Sequence, residues 1–278
     1  MDYSPSYTPQ QMVENSVETG AKKCAYRFPK SIILGILAGA FIAFSSQCIE
    51  AVSYSAASQP WLMRTLQGCI FPIGLMMVIM SGSELFTGNV LIITSVMAKR
   101  VRISQMLRNW GIVYAANLIG AVFVAVCIYL SGQLSASSGD LGAFAVQIAA
   151  KKTSLSFVNC FFSGVLCNIM VCMAVWMASA AKDVAGKLLG AFFPIMLFIS
   201  SGFEHSIANM YYITQGLLSK DKYGAIAVAA GVDISSLTPI GMAKNLLPVT
   251  LGNIAGGMIV VGVMMYLSHI TLSKNKNN

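Results

Sequence analysis

The sequence predicts an all-α membrane protein whose six transmembrane spans form two inverted three-span repeats, with the second and fifth spans broken in the middle. Composition is the first reason: 56% of the 278 residues are hydrophobic and 10% charged, with a mean hydropathy of +0.71, against roughly 25% charged in a soluble domain. The second is length. Apolar runs long enough to cross a bilayer recur six times, at about 31–50, 68–98, 105–132, 154–180, 187–217 and 246–271. The third is that the second and fifth runs exceed one simple crossing and share the pattern Gly-x-Glu-x4-Asn, as Gly82, Glu84, Asn89 and Gly202, Glu204, Asn209. A helix that breaks and resumes accounts for the excess, provided that the loop is buried in protein or lines a cavity.

Weaker echoes support the repeat. Gly35 and Gly39 of the first run match Gly164 and Asn168 of the fourth, and Asn117-x-x-Gly120 of the third matches Asn253-x-x-Gly256 of the sixth. Halves of this kind, each with a polar break in its middle segment, mark repeat-built transporters and channels.

The net charge of +8 does not point to nucleic acid, because the basic residues separate by side of the membrane rather than forming one patch with interleaved aromatics. With the N-terminus inside, twelve Lys and Arg fall on inner segments and six on outer ones, which predicts both termini cytoplasmic. A polar lead of some thirty residues without a cleavage site predicts no removable signal. The expected organisation is a cytoplasmic N-terminal segment, 1–30, a six-span domain, 31–271, and a cytoplasmic tail, 272–278. Seven cysteines without a CxxC pair and two histidines in different spans predict reduced core thiols, with neither a disulfide framework nor a metal centre. No cofactor motif is present.

In chain order, Met12, Val13, Val17, Ala21 and Ala25 recur at helical spacing and predict an amphipathic helix on the cytoplasmic face. Gly35-x3-Gly39 gives the first span a close-packing surface. The second span shows Phe71, Leu75, Val78 and Ile79 on one face before the break at Glu84. The third carries Asn117, and the Ser- and Gly-rich stretch from Gly132 to Ala150 is expected to be an external loop. Lys151-Lys152 at its end either snorkels to headgroups or makes an electropositive vestibule. The fourth span holds Gly164, Asn168, Val171 and the interfacial Trp176. The fifth climbs through Pro194 and Phe198 to the stretch from Ser200 to Asn209, and the sixth carries Pro248, Asn253 and His269. His269 is given no role.

The Ser200–Asn209 stretch is the functional centre of this reading. An acid, a histidine and an asparagine sit in a run otherwise fit for lipid, where a charged residue costs roughly 2.5–3.5 kcal/mol. Either His205 is a hydrogen-bonded structural residue or the stretch handles an ion. Glu84 and Glu204 are expected to accept hydrogen bonds from loop backbone freed by the breaks.

Three strings, Glu84-Leu85-Phe86-Thr87, Gly202 to Met210, and Asn245 to Asn253, resemble the formate/nitrite transporter family, and the resemblance runs from about Tyr26 to His269. It implies a homopentamer of bacterial inner-membrane anion channels with a separate pore and an aquaporin-like arrangement in every protomer. It places Leu85 and Phe86 beside Val171 at one constriction, and Phe71, Leu75 and Phe198 at the other, outer one. His205 lies between them with Thr87, Asn209 and Asn253 near it, and Lys152 is the vestibule lysine. The expected function is passage of a small monovalent anion, formate before nitrite or hydrosulfide, assisted by protonation at His205; the rival keeps His205 neutral as a donor only. A bare anion faces a desolvation cost between Leu and Phe side chains that a neutral acid does not. An aquaglyceroporin-like pore for neutral solutes would call for an Asn-Pro-Ala motif and an arginine filter, and an enzyme for a nucleophile, metal cluster or cofactor motif; neither set is found.

Overall fold

The computed structural model describes residues 6–56 and 59–272, so the expected tail lies outside the described residues except for Leu272. Helix α1 (Pro9–Cys24) precedes the first span, α2 (Phe28–Ser53). The second span is α3 (Pro60–Ile70) and α4 (Pro72–Ser81), then, past the break, α5 (Phe86–Asn89), a tight turn and α6 (Ile93–Met97). The third is α7 (Ile103–Leu130). Helix α8 (Asp140–Thr153) leads into the fourth, α9 (Phe157–Ala180). The fifth is α10 (Val184–Ser201) and α11 (Ser206–Ala229), and α12 (Pro239–Ile254) opens the sixth, which continues to Thr271. Six helical stretches are long and apolar enough to cross a membrane, and no strand occurs among the described residues. Three crossings per half is an odd number, so the second half enters from the opposite face and the repeat is inverted.

Several boundaries differ from the sequence reading. The second span starts at Pro60 rather than 68, and α11 runs to Ala229 rather than 217. Arg64 in the one, and Lys220, Asp221 and Lys222 in the other, end the apolar run without ending the helix. The stretch from Gly132 to Ala150 is not simply a loop: from Asp140 it is helix α8, with Leu141, Ala145, Val146 and Ala149 buried at helical spacing against α11. Small alanines make that face nearly invisible to hydropathy. The N-terminal helix docks on the bundle itself: Met12, Val13 and Val17 are buried, and Ser95 donates to the Val17 carbonyl at 2.7 Å.

Helices α1 and α8 extend the repeat. Each ends shortly before the first span of its half, and the lysine pairs Lys22-Lys23 and Lys151-Lys152 fill the last turn of each. Within a half, glycine lets the spans touch at backbone distance. A Cβ on Gly120 would lie 2.1 Å from the carbonyl oxygen of Ile36, and one on Gly256 would lie 2.1 Å from that of Val165, its counterpart.

Gly120→Ala is therefore expected to push α7 off α2 and to cost about 1–3 kcal/mol. Gly111→Ala, on the same helix with nothing within 4 Å of the added carbon, is expected to be neutral or slightly stabilising. Thermal unfolding of the two variants in detergent checks the contrast.

Candidate functional site: two helix breaks and the histidine between them

Both breaks begin with the same C-terminal motif. Gly82 and Gly202 adopt φ of 67° and 77°, a left-handed conformation that glycine takes without a Cβ clash. The Gly82 N–H bonds the Ile79 carbonyl and the Ser83 N–H that of Val78; Gly202 and Phe203 repeat this with Ile199 and Phe198. Two orphan carbonyls are thus satisfied at each end.

The next backbone groups are held from the neighbouring spans. Asn117 on α7 accepts from the Phe86 N–H at 2.9 Å and donates to the carbonyls of Glu84 and Gly35. Asn253 on α12 accepts from the Ser206 N–H at 2.9 Å and donates to Glu204 and Gly164. Each asparagine therefore ties a break to the first span of its half, at the matching glycine. The Asn253 side chain, expected near His205, thus has both its amide and its carbonyl bonded to backbone.

The glutamates play a different part from the one expected. Glu84 accepts from the amide of Asn89 at 2.8 Å and pairs with Lys23 of α1 at 3.1 Å, and Asn89 also donates to Asn109. Glu204 accepts from Asn209 at 2.6 Å and pairs with Lys152 of α8 at 3.0 Å, and Asn209 donates to Asn245. Asparagine amides and lysine ammonium groups, not loop N–H groups, compensate the two carboxylates. Lys23, Asn109 and Asn245 were missed. The lysine pairs carried the signal, because the spacing that relates Gly35 to Gly164 also relates Lys23 to Lys152.

The glycine, the glutamate and the asparagine repeat, but the residues between them do not. Where the first break has Leu85, the second has His205, each immediately before the resumed helix. The His205 Nδ1 accepts from the Ala208 N–H at 3.2 Å, capping α11, and Nε2 lies 2.9 Å from the Thr87 hydroxyl of the other half. A nitrogen that accepts cannot also carry a proton, so this network assigns the neutral ring a proton on Nε2. His205 and Thr87 are 3% and 0% exposed.

A cavity of about 390 Å³ descends from the α8 side to His205. Arg64, Lys151, Lys152 and Glu204 line it, three basic groups against one acid, and Phe71, Phe198, Asn209 and Tyr212 also form its wall. The rings of Phe71 and Phe198 meet edge-on at 5.7 Å, and Phe198 stands 6.1 Å from the His205 ring. Leu75, one turn below Phe71, is 2% exposed. Leu85, Phe86 and Val171 are buried in the same core, where Phe86 packs edge-on against Tyr114 and Trp110. On the α1 side a cavity of about 90 Å³ is walled by α1, with Lys23, Gly88, Val175 and Trp176.

Comparison with known proteins bears directly on this arrangement. Residues 10–267 match the family model described as formate/nitrite transporter. The chain is 37% identical over 266 residues to the formate channel FocA of Haemophilus influenzae, covering 94% of each chain. It is 38% identical over 258 residues to a probable formate transporter of Methanothermobacter thermautotrophicus, covering 87% of this chain and 89% of that one. Among solved structures it resembles a pentameric formate channel with formate bound, with a TM-score of 0.78, 34% identity, and coverage of 87% and 98%. It also resembles an ion channel of the same family, with a TM-score of 0.81, 27% identity, and coverage of 93% and 98%.

Replacing Asn117 or Asn253 by leucine strands one buried N–H and the loop carbonyl of Glu84 or Glu204, each worth about 1–3 kcal/mol when unsatisfied. Both variants are expected to lose several kcal/mol, in similar measure, by thermal unfolding. A large loss for one and none for the other would show that the two staples are not equivalent.

Proposed function

The chain belongs to the formate/nitrite transporter family, and from that premise we propose that it is a channel for small monovalent anions of weak acids, formate foremost, working as a homopentamer in the bacterial inner membrane. Both termini are cytoplasmic in this reading, which makes the α8-side cavity the outer vestibule and the α1 side the inner mouth. The observation that carries the proposal is the placement of His205 and Thr87, 2.9 Å apart, between apolar groups and below a vestibule with excess positive charge. Arg64, Lys151 and Lys152 raise the local anion concentration. Phe71, Leu75 and Phe198 on one side, and Leu85, Phe86 and Val171 on the other, are the constrictions. Between them the Nε2–H of His205 and the Thr87 hydroxyl offer hydrogen bonds to the substrate, with Asn209 beside them in the wall.

The proton balance follows from the ring. A histidine that hands over a proton must first carry two, and the second would displace the Ala208 N–H from Nδ1. This favours the reading in which His205 stays neutral, as a donor only, over proton supply by His205 itself; a proton that the anion takes up then comes from hydronium in the vestibule, leaving water. The neutral acid then crosses the constrictions without the desolvation cost of the anion. The inner mouth has its own ammonium group, Lys23, so release into either compartment meets the same chemistry.

Flux into proteoliposomes, measured for formate, nitrite, hydrosulfide and glycerol in acid and neutral buffer, tests this. Formate flux that rises as pH falls is expected, with little glycerol flux; glycerol flux without anion flux would overturn the proposal. In the His205→Asn variant the pH dependence is expected to persist at reduced rate. Its loss would return the proton-supplying role to the ring.

A further inference from the structure

Three glutamates are buried within the spans among the described residues: Glu50, Glu84 and Glu204, at 0%, 1% and 7% exposure. Two are compensated alike, by a lysine and an asparagine amide. Glu50 is not. Its Oε2 accepts from the Tyr211 hydroxyl at 3.3 Å, but that hydroxyl also bonds Gln47, and its Oε1 has no hydrogen-bond partner. Half of one donor does not hold a carboxylate out of water, whereas a carboxylic acid is tolerated there.

Glu50 belongs to a polar seam. On α2, Ser46, Glu50 and Ser53 fall at i, i+4 and i+7 and are fully buried. Tyr211 meets Glu50 from α11, and one and two turns further along that helix both polar atoms of Gln215 and the Ser219 hydroxyl are buried without a protein partner. Such groups are normally satisfied by internal water. The seam reaches the vestibule wall where cavity-lining Gln67 donates to Ser53, and Tyr212, packed against Tyr211, lines the cavity beside it.

We propose that Glu50 is a proton-binding site behind the wall of the outer vestibule, in exchange with vestibule water along the α2–α11 seam, and that its charge state tunes anion entry. The tuning rests on the channel reading given above; the proton site does not. In the exchange, the O–H bond of the carboxyl breaks, the proton passes to water, and the carboxylate that remains accepts from Tyr211. Ionised Glu50 subtracts one charge from a vestibule that otherwise favours anions. The ionisable groups that act on it are Tyr211 and Tyr212 from α11 and Lys152 from α8; α3 and the turn before α8 bring only the amides of Gln67 and Gln133 to the seam.

Infrared difference spectroscopy on the full-length protein in lipid, stepped from acid to alkaline buffer, tests the site without any transport assay. A protonated-carboxyl band that disappears on alkalinisation is expected in the wild type and absent in Glu50→Gln. In Tyr211→Phe the band is expected to shift in frequency, since the carboxyl loses its one hydrogen-bond partner. No such band, or its persistence in Glu50→Gln, would overturn the site. For the tuning, formate flux is compared across external pH. Glu50→Gln is expected to match the wild type in acid and to exceed it about 2- to 10-fold in alkaline buffer, the order of effect of removing one partly screened unit charge beside the entry path. Equal flux at every pH would overturn the tuning. Absence of formate flux in both proteins would overturn the formate reading, while the infrared band would still decide the proton site.

Discussion

Every backbone N–H and C=O at membrane depth must find a partner inside the protein, and this fold breaks two helices at that depth. Everything around the breaks follows from meeting that demand twice. Left-handed glycines close the first half-helices on their own carbonyls. Asn117 and Asn253 then supply, from the third and sixth spans, the donors and acceptor that the loops lack. The same asparagines bind the carbonyls of Gly35 and Gly164. The loops are thereby fixed relative to the first span of each half, and a pore assembled from them is rigid where it must select.

The near-identity of the halves makes their differences informative. Each break carries a glutamate, an asparagine and a lysine from a helix outside the spans, so the two mouths present the same charge arrangement in opposite directions. Among the positions where the breaks differ, Leu85 in one half stands where His205 stands in the other. The histidine reaches across to Thr87 of the first half, so the two halves meet in one buried polar contact. An inverted repeat thus yields two similar mouths and one unlike centre.

Glu50 lies outside this symmetry. It has no counterpart in the paired cages, and its surroundings contain more unsatisfied polar atoms than either break. At the breaks the loop backbone and both glutamates are matched to partners, whereas Glu50, Gln215 and Ser219 retain unmatched polar atoms.

The amino-acid sequence by itself determined the membrane character, the six spans, the two breaks and the residues at them, because these depend on local properties: runs of apolar side chains, a glycine able to turn left-handed, polar residues where lipid tolerates none. It also held the repeat, down to the lysine pairs of α1 and α8, although the alanine-rich face of α8 was too weakly apolar to reveal a helix. What only the tertiary structure decided is which donor meets which acceptor. The backbone bonds of Asn253, the lysines that reach Glu84 and Glu204 from separate helices, and the sparse surroundings of Glu50 are visible only there. Its isolation is a property of what packs around it, and that is set by helices brought together across more than a hundred residues of chain, a relation no local pattern encodes.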